Sequence, residues 1–223
     1  MRKLAITFVM FLAMASMANA QTVFNSFSRG SNSSFQNMQG DLILLTAGRD
    51  VTFVDLFGIE DFTNFAVFDL SELNGSAVDS AYLEYVVPVN GYTSGDLTEE
   101  FGVFDYRFSG SALPITGDMN SFAGLSDGIQ FGATTVSESD EGSILRLDLN
   151  QTGVDEINGS TDGFVTFIGS ITTLDSLSNQ LISFESNSPA DVRLVVETVA
   201  VPEPTSGIVL TLVGFGLVLL RRR

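Results

Sequence analysis

The chain of 223 residues has no cysteine, no histidine and no tryptophan, and its only lysine is Lys3. Each absence removes a kind of chemistry. Without Cys there is no disulfide, no thiolate nucleophile and no thiolate metal ligand. Without His the usual proton carrier near neutral pH is missing, and so is the commonest metal ligand. Beyond Lys3 there is no amine for a Schiff base or a Ser-Lys dyad. Zinc hydrolases, His-dependent triads, pyridoxal-phosphate enzymes and cysteine enzymes are excluded together. Carboxylate chemistry is the one catalytic route left, and we expect a protein that is not an enzyme.

Positive charge is equally scarce. Between Gln21 and Ala200 the cations are Arg29, Arg49, Arg107, Arg146 and Arg193, against 26 carboxylates, and the whole chain has a net charge of −17. Such a surface repels phosphate backbones and anionic lipid heads, so nucleic acid is not an expected partner. It suits solubility outside the cell and attracts divalent cations.

What is present begins with a basic start, Met1-Arg2-Lys3, followed by a nearly unbroken apolar run from Leu4 to Met14. Small residues Ala18 and Ala20 flank Asn19 just before Gln21. That order is the pattern of a secretory signal peptide, residues 1–20, cut after Ala20 by signal peptidase. Residues 21–200 then have the size of one domain with its own core.

Within that segment short runs with β-branched and aromatic residues recur between Gly, Asn, Asp and Ser, which is strand-and-turn punctuation. Strands are expected near Thr22–Phe27, Asp41–Thr46, Val51–Phe57, Asn64–Leu70, Ser80–Val89, Phe101–Phe108, Gly128–Val136, Ser143–Leu149, Gly163–Ile171, Gln180–Glu185 and Asp191–Thr198. Several alternate with period two. Leu145, Leu147 and Leu149 share one face against Ile144, Arg146 and Asp148. Val192, Leu194 and Val196 oppose Arg193, Val195 and Glu197. Leu83, Tyr85 and Val87 share a face and leave Glu84 outward. Only Asn150–Asn158 reads as helical turns. The expectation is an all-β fold, an antiparallel β-sandwich of the jelly-roll kind, with a closed barrel as the alternative. With 19 Phe and no Trp, phenylalanine must supply the bulk of the large core residues.

After the domain comes VPEPTSGIVLTLVGFGLVLLRRR, residues 201–223. Pro202 and Pro204 enforce an extended stop. Gly207–Leu220 is a run of 14 residues without a charge. As a helix it spans roughly 21 Å, less than the hydrocarbon core of about 30 Å. It is apolar around its whole circumference and ends at Arg221, Arg222 and Arg223, which can snorkel while a short span thins the bilayer. The positive-inside rule keeps those arginines cytoplasmic and the domain outside.

Pro202-Glu203-Pro204, the short Gly/Leu/Val-rich run and the terminal arginines together resemble a PEP-CTERM sorting signal of Gram-negative bacteria. The resemblance implies recognition by exosortase, a membrane-embedded protease, with transient anchoring in the inner membrane and onward movement to the cell surface or extracellular matrix. It assigns recognition to Pro202, Glu203 and Pro204, the transmembrane helix to Gly207–Leu220, and cytoplasmic retention to Arg221–Arg223. No LPxTG-like sortase motif is present. A second resemblance lies in NFAVFDLSELNGSAVDSAYLEYVV, Asn64–Val87, which is similar to a strand–turn–strand of exported bacterial β-sandwiches, some of whose relatives are carbohydrate-binding modules. It implies structural roles, with Phe65, Phe68 and Leu70 in the core and Asp69 accepting hydrogen bonds at the strand end.

For chemistry the candidates are few. Glu99, Glu100 and Asp105 lie close in sequence, as do Glu138, Asp140 and Glu141, but a glycosidase needs two carboxylates facing one another across a sugar, and these are expected as solvated turn charges. Calcium would use oxygen-rich loops, with Asp140, Glu141 and Asp162 as the candidate ligands, although no EF-hand-like loop is present. A glycan would stack on an exposed ring, and Tyr92 in NGYTSGD is the candidate. No other cofactor is expected. The reading is an exported, exosortase-processed, non-catalytic β-sandwich associated with cell surface or exopolysaccharide, adhesive or weakly glycan-binding. The alternative is a secreted carboxylate-dependent glycan hydrolase or lyase.

Overall fold

The structure, a computed structural model, describes residues 20–26, 28–33, 44–51, 60–105, 128–175 and 178–198. The expected signal peptide up to Asn19 (with Ala18), the expected strand Val51–Phe57 beyond Val51, and the whole tail with Pro202, Glu203, Pro204 and Arg221–Arg223 lie outside the described residues.

Two antiparallel sheets pack face to face, as the alternating patterns require. The smaller has the order β1-β12-β5-β9: Ala20–Asn25, Val192–Thr198, Val78–Val86 and Ile144–Asp148. The larger, eight-stranded and curled into a half-barrel, runs β6-β11-β3-β4-β10-β7-β8. Those strands are Tyr92–Thr93, Gln180–Glu185, Leu44–Asp50, Glu60–Asp69, Phe164–Ile171, Glu99–Asp105 and Gln130–Val136, and β2, Ser28–Ser33, pairs with β4 off that path. One helix, α1 (Gln151–Gly159), links β9 to β10. Asn150 caps it by accepting the Gly153 N–H at 3.0 Å, and Val154 and Ile157 turn inward.

Alternation decides what is inside. On β9, Leu145 and Leu147 are buried while Ile144, Arg146 and Asp148 are exposed. On β5, Leu83, Tyr85 and Val87 (just past its end) enter the core. Three rings join the sheets at the centre: Tyr85 from the smaller sheet lies 5.4 Å from Phe101 and 4.7 Å from Phe184, which are 4.9 Å from each other. Their tilted and edge-on approaches suit the ring quadrupole. Complete burial pushes the Tyr85 phenol well above its ordinary pKa, so it stays neutral. Phe68–Phe167 and Phe131–Phe167 contacts extend the aromatic layer.

Three details depart from the sequence reading. Phe65 is only half-buried, whereas Phe68 and Leu70 are core. A spacing of three along a strand puts Phe65 on the face opposite Phe68, so both cannot point inward. Val195, expected outward with Arg193 and Glu197, is only 2 % exposed, between Val23 and Tyr82 on the flanking strands. β2 and β6 have no apolar pattern and join the sheet through backbone pairing. Asp69 behaves as expected: it accepts the Ser71 N–H at 2.9 Å, and that bond holds its carboxyl below the ordinary range.

Candidate functional site

The larger sheet forks, and among the described residues the fork buries two polar side chains together, Glu99 and Gln180. Phe62 pairs with Gly48 of β3 and also with Ser33 of β2, which sets β2 and β3 on opposite edges of β4. Asn64 to Val67 pair with β10 and with β2 in the same way. β3 and β10 therefore follow one another along a single edge, and the exchange falls at Thr63. One branch continues through β3, β11 and β6, the other through β10, β7 and β8.

Where branches part, ladder hydrogen bonds end and other groups must satisfy the interior. Glu99, at the start of β7, is 1 % exposed and accepts from both sides of the fork. Its Oε1 receives the Ser94 hydroxyl at 2.6 Å and the Gln180 Nε2 amide at 2.8 Å, and its Oε2 receives the Thr173 hydroxyl. Gln180, on β11 and fully buried, accepts the Asp175 N–H through its own Oε1 at 2.6 Å. Arg49, paired with Gln180 in register, grips Asp61 through two nitrogens at 2.6 and 2.8 Å and gives a third to the Asp175 carbonyl at 2.8 Å. The hydrogen bond to Asp61 is the main reason the guanidinium is raised above its ordinary pKa. Gly48 (φ +127°) is obligatory here, because a side-chain carbon would overlap the Gln180 carbonyl oxygen.

Tyr92 stands beside this cluster. It lies in the two-residue strand β6, half-buried rather than at an exposed loop tip, because β6 is zipped to Leu181 and Ile182 of β11. Its N–H donates to Glu141 Oε1 at 3.1 Å, and its hydroxyl donates to the Asp96 carbonyl at 2.9 Å. Burial first, and the nearby Glu99 and Asp96 charges after it, raise the phenol pKa against the opposing bond from Ser94. Val89 and Leu97, on the same excursion between β5 and β7, are the exposed apolar groups around it, 72 % and 92 % accessible.

The other candidates fall apart in space. Asp140 accepts the Ser137 N–H and hydroxyl at 2.8 and 2.9 Å, closing a capping box. Asp162 accepts from the Ser160 hydroxyl and the Phe164 N–H in its own turn. Glu141 is committed to Tyr92. Among the described residues no group of three or more Asp or Glu is placed to hold a metal ion. Glu99 and Glu100 project to opposite faces, the first buried and the second exposed and bonded to the Thr172 hydroxyl at 2.6 Å, so they do not face one another. Asp105 is buried and receives the Ile129 N–H at 2.6 Å. Ala20 opens β1 and pairs with Thr198 at the end of β12, whose hydroxyl donates to the Ala20 carbonyl at 3.3 Å.

The inward position of Glu99 was readable from parity, since it shares a face with Phe101 and Val103. Gln180 and Thr173 were not, because a fork joins residues 81 and 74 positions apart without any local signature, and Ser94, only five residues away, carries no pattern that marks it as a partner. No protein-family model matches the chain, and no curated protein is significantly similar to it.

Proposed function

We propose that the chain is an exported protein, processed at both ends, whose jelly-roll-like sandwich serves as a non-catalytic component of the cell surface or extracellular matrix. The observation that carries this reading is the pairing of Gln21, the first residue of the expected mature chain, with Glu197 near the end of β12. A signal peptide cut after Ala20 and a PEP-type tail beginning at Val201 would both join the sandwich at one end, which lets a single membrane face hold the precursor. The end remote from that junction follows from register. β5 starts at Val78, opposite Thr198, and finishes at Val86, opposite Ile144. The excursion carrying Val89, Tyr92 and Leu97 leaves from that far end and is the surface proposed to meet exopolysaccharide.

The non-catalytic part is supported by how the carboxylates are used. Glu99, Asp140 and Asp162 accept hydrogen bonds from their own structural neighbours, and a general acid or nucleophile needs an oxygen free to reach substrate. The test is the mass of the mature protein recovered from a Gram-negative host with an exosortase. The proposal expects an N-terminus at Gln21 and a C-terminus within residues 201–206. An exported chain still ending at Arg223 overturns the processing. Polysaccharide cleavage abolished by Glu99→Gln in a folded variant overturns the non-catalytic assignment.

A further inference from the structure

The sequence contains three Asn-Gly pairs, Asn74-Gly75, Asn90-Gly91 and Asn158-Gly159, and the fold treats them differently. Such pairs are where an asparagine side chain is most open to attack by the following backbone nitrogen, because glycine places no Cβ in the way. We infer that Asn74 is a site of spontaneous deamidation in the folded protein and that the other two are shielded.

The shielding is visible bond by bond. At Asn90 the attacking group is occupied: the Gly91 N–H donates to the Pro88 carbonyl at 3.0 Å, and the Gly91 carbonyl accepts the Ser183 N–H at 2.7 Å. Gly91 is also buried, and even one added carbon there would press on Pro88 and the Ser183 carbonyl. At Asn158 the side chain is occupied instead. Its Oδ1 accepts the Val78 N–H at 2.9 Å and its Nδ2 donates to the Val78 carbonyl at 3.0 Å, a two-point clamp from α1 to the first residue of β5. Rotating that amide toward Gly159 would strip both bonds from a strand end.

Asn74 is held less firmly. Like Asn90 and Asn158 it is exposed, and like Asn90 it is left-handed (φ 49°, ψ 33°), but Gly75 is exposed at φ +78° with open space around it, and the turn is tied only by bonds within itself. Two surface bonds must open for the attack, Ser76 N–H to the Leu73 carbonyl at 2.8 Å and Asn74 Nδ2 to the Glu72 carbonyl at 3.1 Å. Both can be replaced by water. In the reaction the Gly75 nitrogen, losing its proton to hydroxide, bonds to Asn74 Cγ. The Cγ–Nδ2 bond breaks and ammonia leaves, forming a succinimide. Water then opens that ring at either carbonyl, giving aspartate or isoaspartate. The product places a new carboxylate near Glu72 in the β4–β5 connection, and the isoaspartate form lengthens the main chain in that turn. It would mark the age of each molecule.

The experiment is to incubate the full chain at mildly alkaline pH, native and in denaturant, and then to cleave after glutamates. Residues 73–84, 85–99 and 157–185 separate the three sites. In the native protein the segment 73–84 is expected to gain the mass of an amide-to-acid exchange at least about tenfold faster than the other two, since each bond that must open lowers the reactive fraction. In denaturant the three rates converge. Asn74→Gly, which keeps the left-handed backbone available, removes the fast phase. Native conversion of Asn90 or Asn158 as fast as Asn74 overturns the inference. So does a 73–84 segment that reacts only in denaturant, or a fast phase that survives in Asn74→Gly.

Discussion

Two junctions in the molecule are made in two different ways, one between the two sheets and one between the branches of the larger sheet. Around Tyr85 the contact is three rings from three strands, with centroids 4.7 to 5.4 Å apart. At the fork of the larger sheet it is a carboxylate, Glu99, drawing together Ser94, Thr173 and Gln180. The first kind of contact is non-directional and grows with the area removed from water. The second is directional: it depends on every donor meeting its acceptor, and a lost partner leaves a buried group unsatisfied. The rings make the molecule stable, and the carboxylate determines how the branches are registered.

The comparison can be broken by substitution. Phe184→Ala should have the largest effect, about 3–5 kcal/mol, as cavity and transfer terms add. It should appear as a lower urea midpoint with an unchanged slope. Glu99→Ala should cost about 1–3 kcal/mol, chiefly through the buried Gln180 amide, which keeps only a longer bond to Asp96 at 3.3 Å, because Ser94 and Thr173 lie nearer the surface and can turn to water. A double-mutant cycle sharpens the difference. Glu99→Ala with Gln180→Ala should be strongly non-additive, whereas Glu99→Ala with Leu147→Ala should add within about 0.5 kcal/mol. Additivity in the first pair would mean that the fork network is not cooperative.

Smaller effects lie on the outer surface. Arg146 stacks 3.7 Å above the Tyr82 ring and pairs with Asp148 at 2.7 Å, yet both charged partners are more than half exposed. Arg146→Ala should therefore cost less than about 1 kcal/mol, and the loss should shrink further at high salt. Asp69 is the smallest case and is best read through pH. Its folded carboxyl is held below the ordinary value by the Ser71 N–H, so its contribution is complete above the unfolded value near pH 4 and disappears as pH falls through the lower folded value. The difference in urea midpoint between the parent and Asp69→Asn should be present at about pH 6 and shrink as pH falls below about 4. A difference that grows on acidification would reverse the sign of this assignment.

Legibility followed the same division. Strands that bury one face announced themselves: β9, β5 and β12 were readable because Leu145, Leu83 and Leu194 belong to strict alternations. β2, SRGSNS, was silent, since it contributes backbone bonds to β4 and no apolar stripe. β6 was silent because two residues are too few to carry a period. Phe65 was misplaced by the resemblance of Asn64–Val87 to a strand–turn–strand, which implies core positions for Phe65, Phe68 and Leu70 together, while the pleat allows only every second residue inside. At the candidate site Glu99 and Asp105, expected as solvated turn charges, are buried instead; the parity of Glu99 with Phe101 and Val103 was the one local signal of it.

By itself the sequence determined the class of fold, the use of phenylalanine as the core ring and the removal of thiol, imidazole and amine chemistry, because composition and period-two patterning are local properties. The fork at Thr63, the Glu99–Gln180 bond across it, the meeting of Ala20 with Thr198 and the bonds that tie Asn158 to Val78 and Gly91 to Ser183 were decided only by tertiary structure. Each depends on residues far apart in the chain being brought within a hydrogen-bond length. That is a matter of topology and register, which no local pattern encodes.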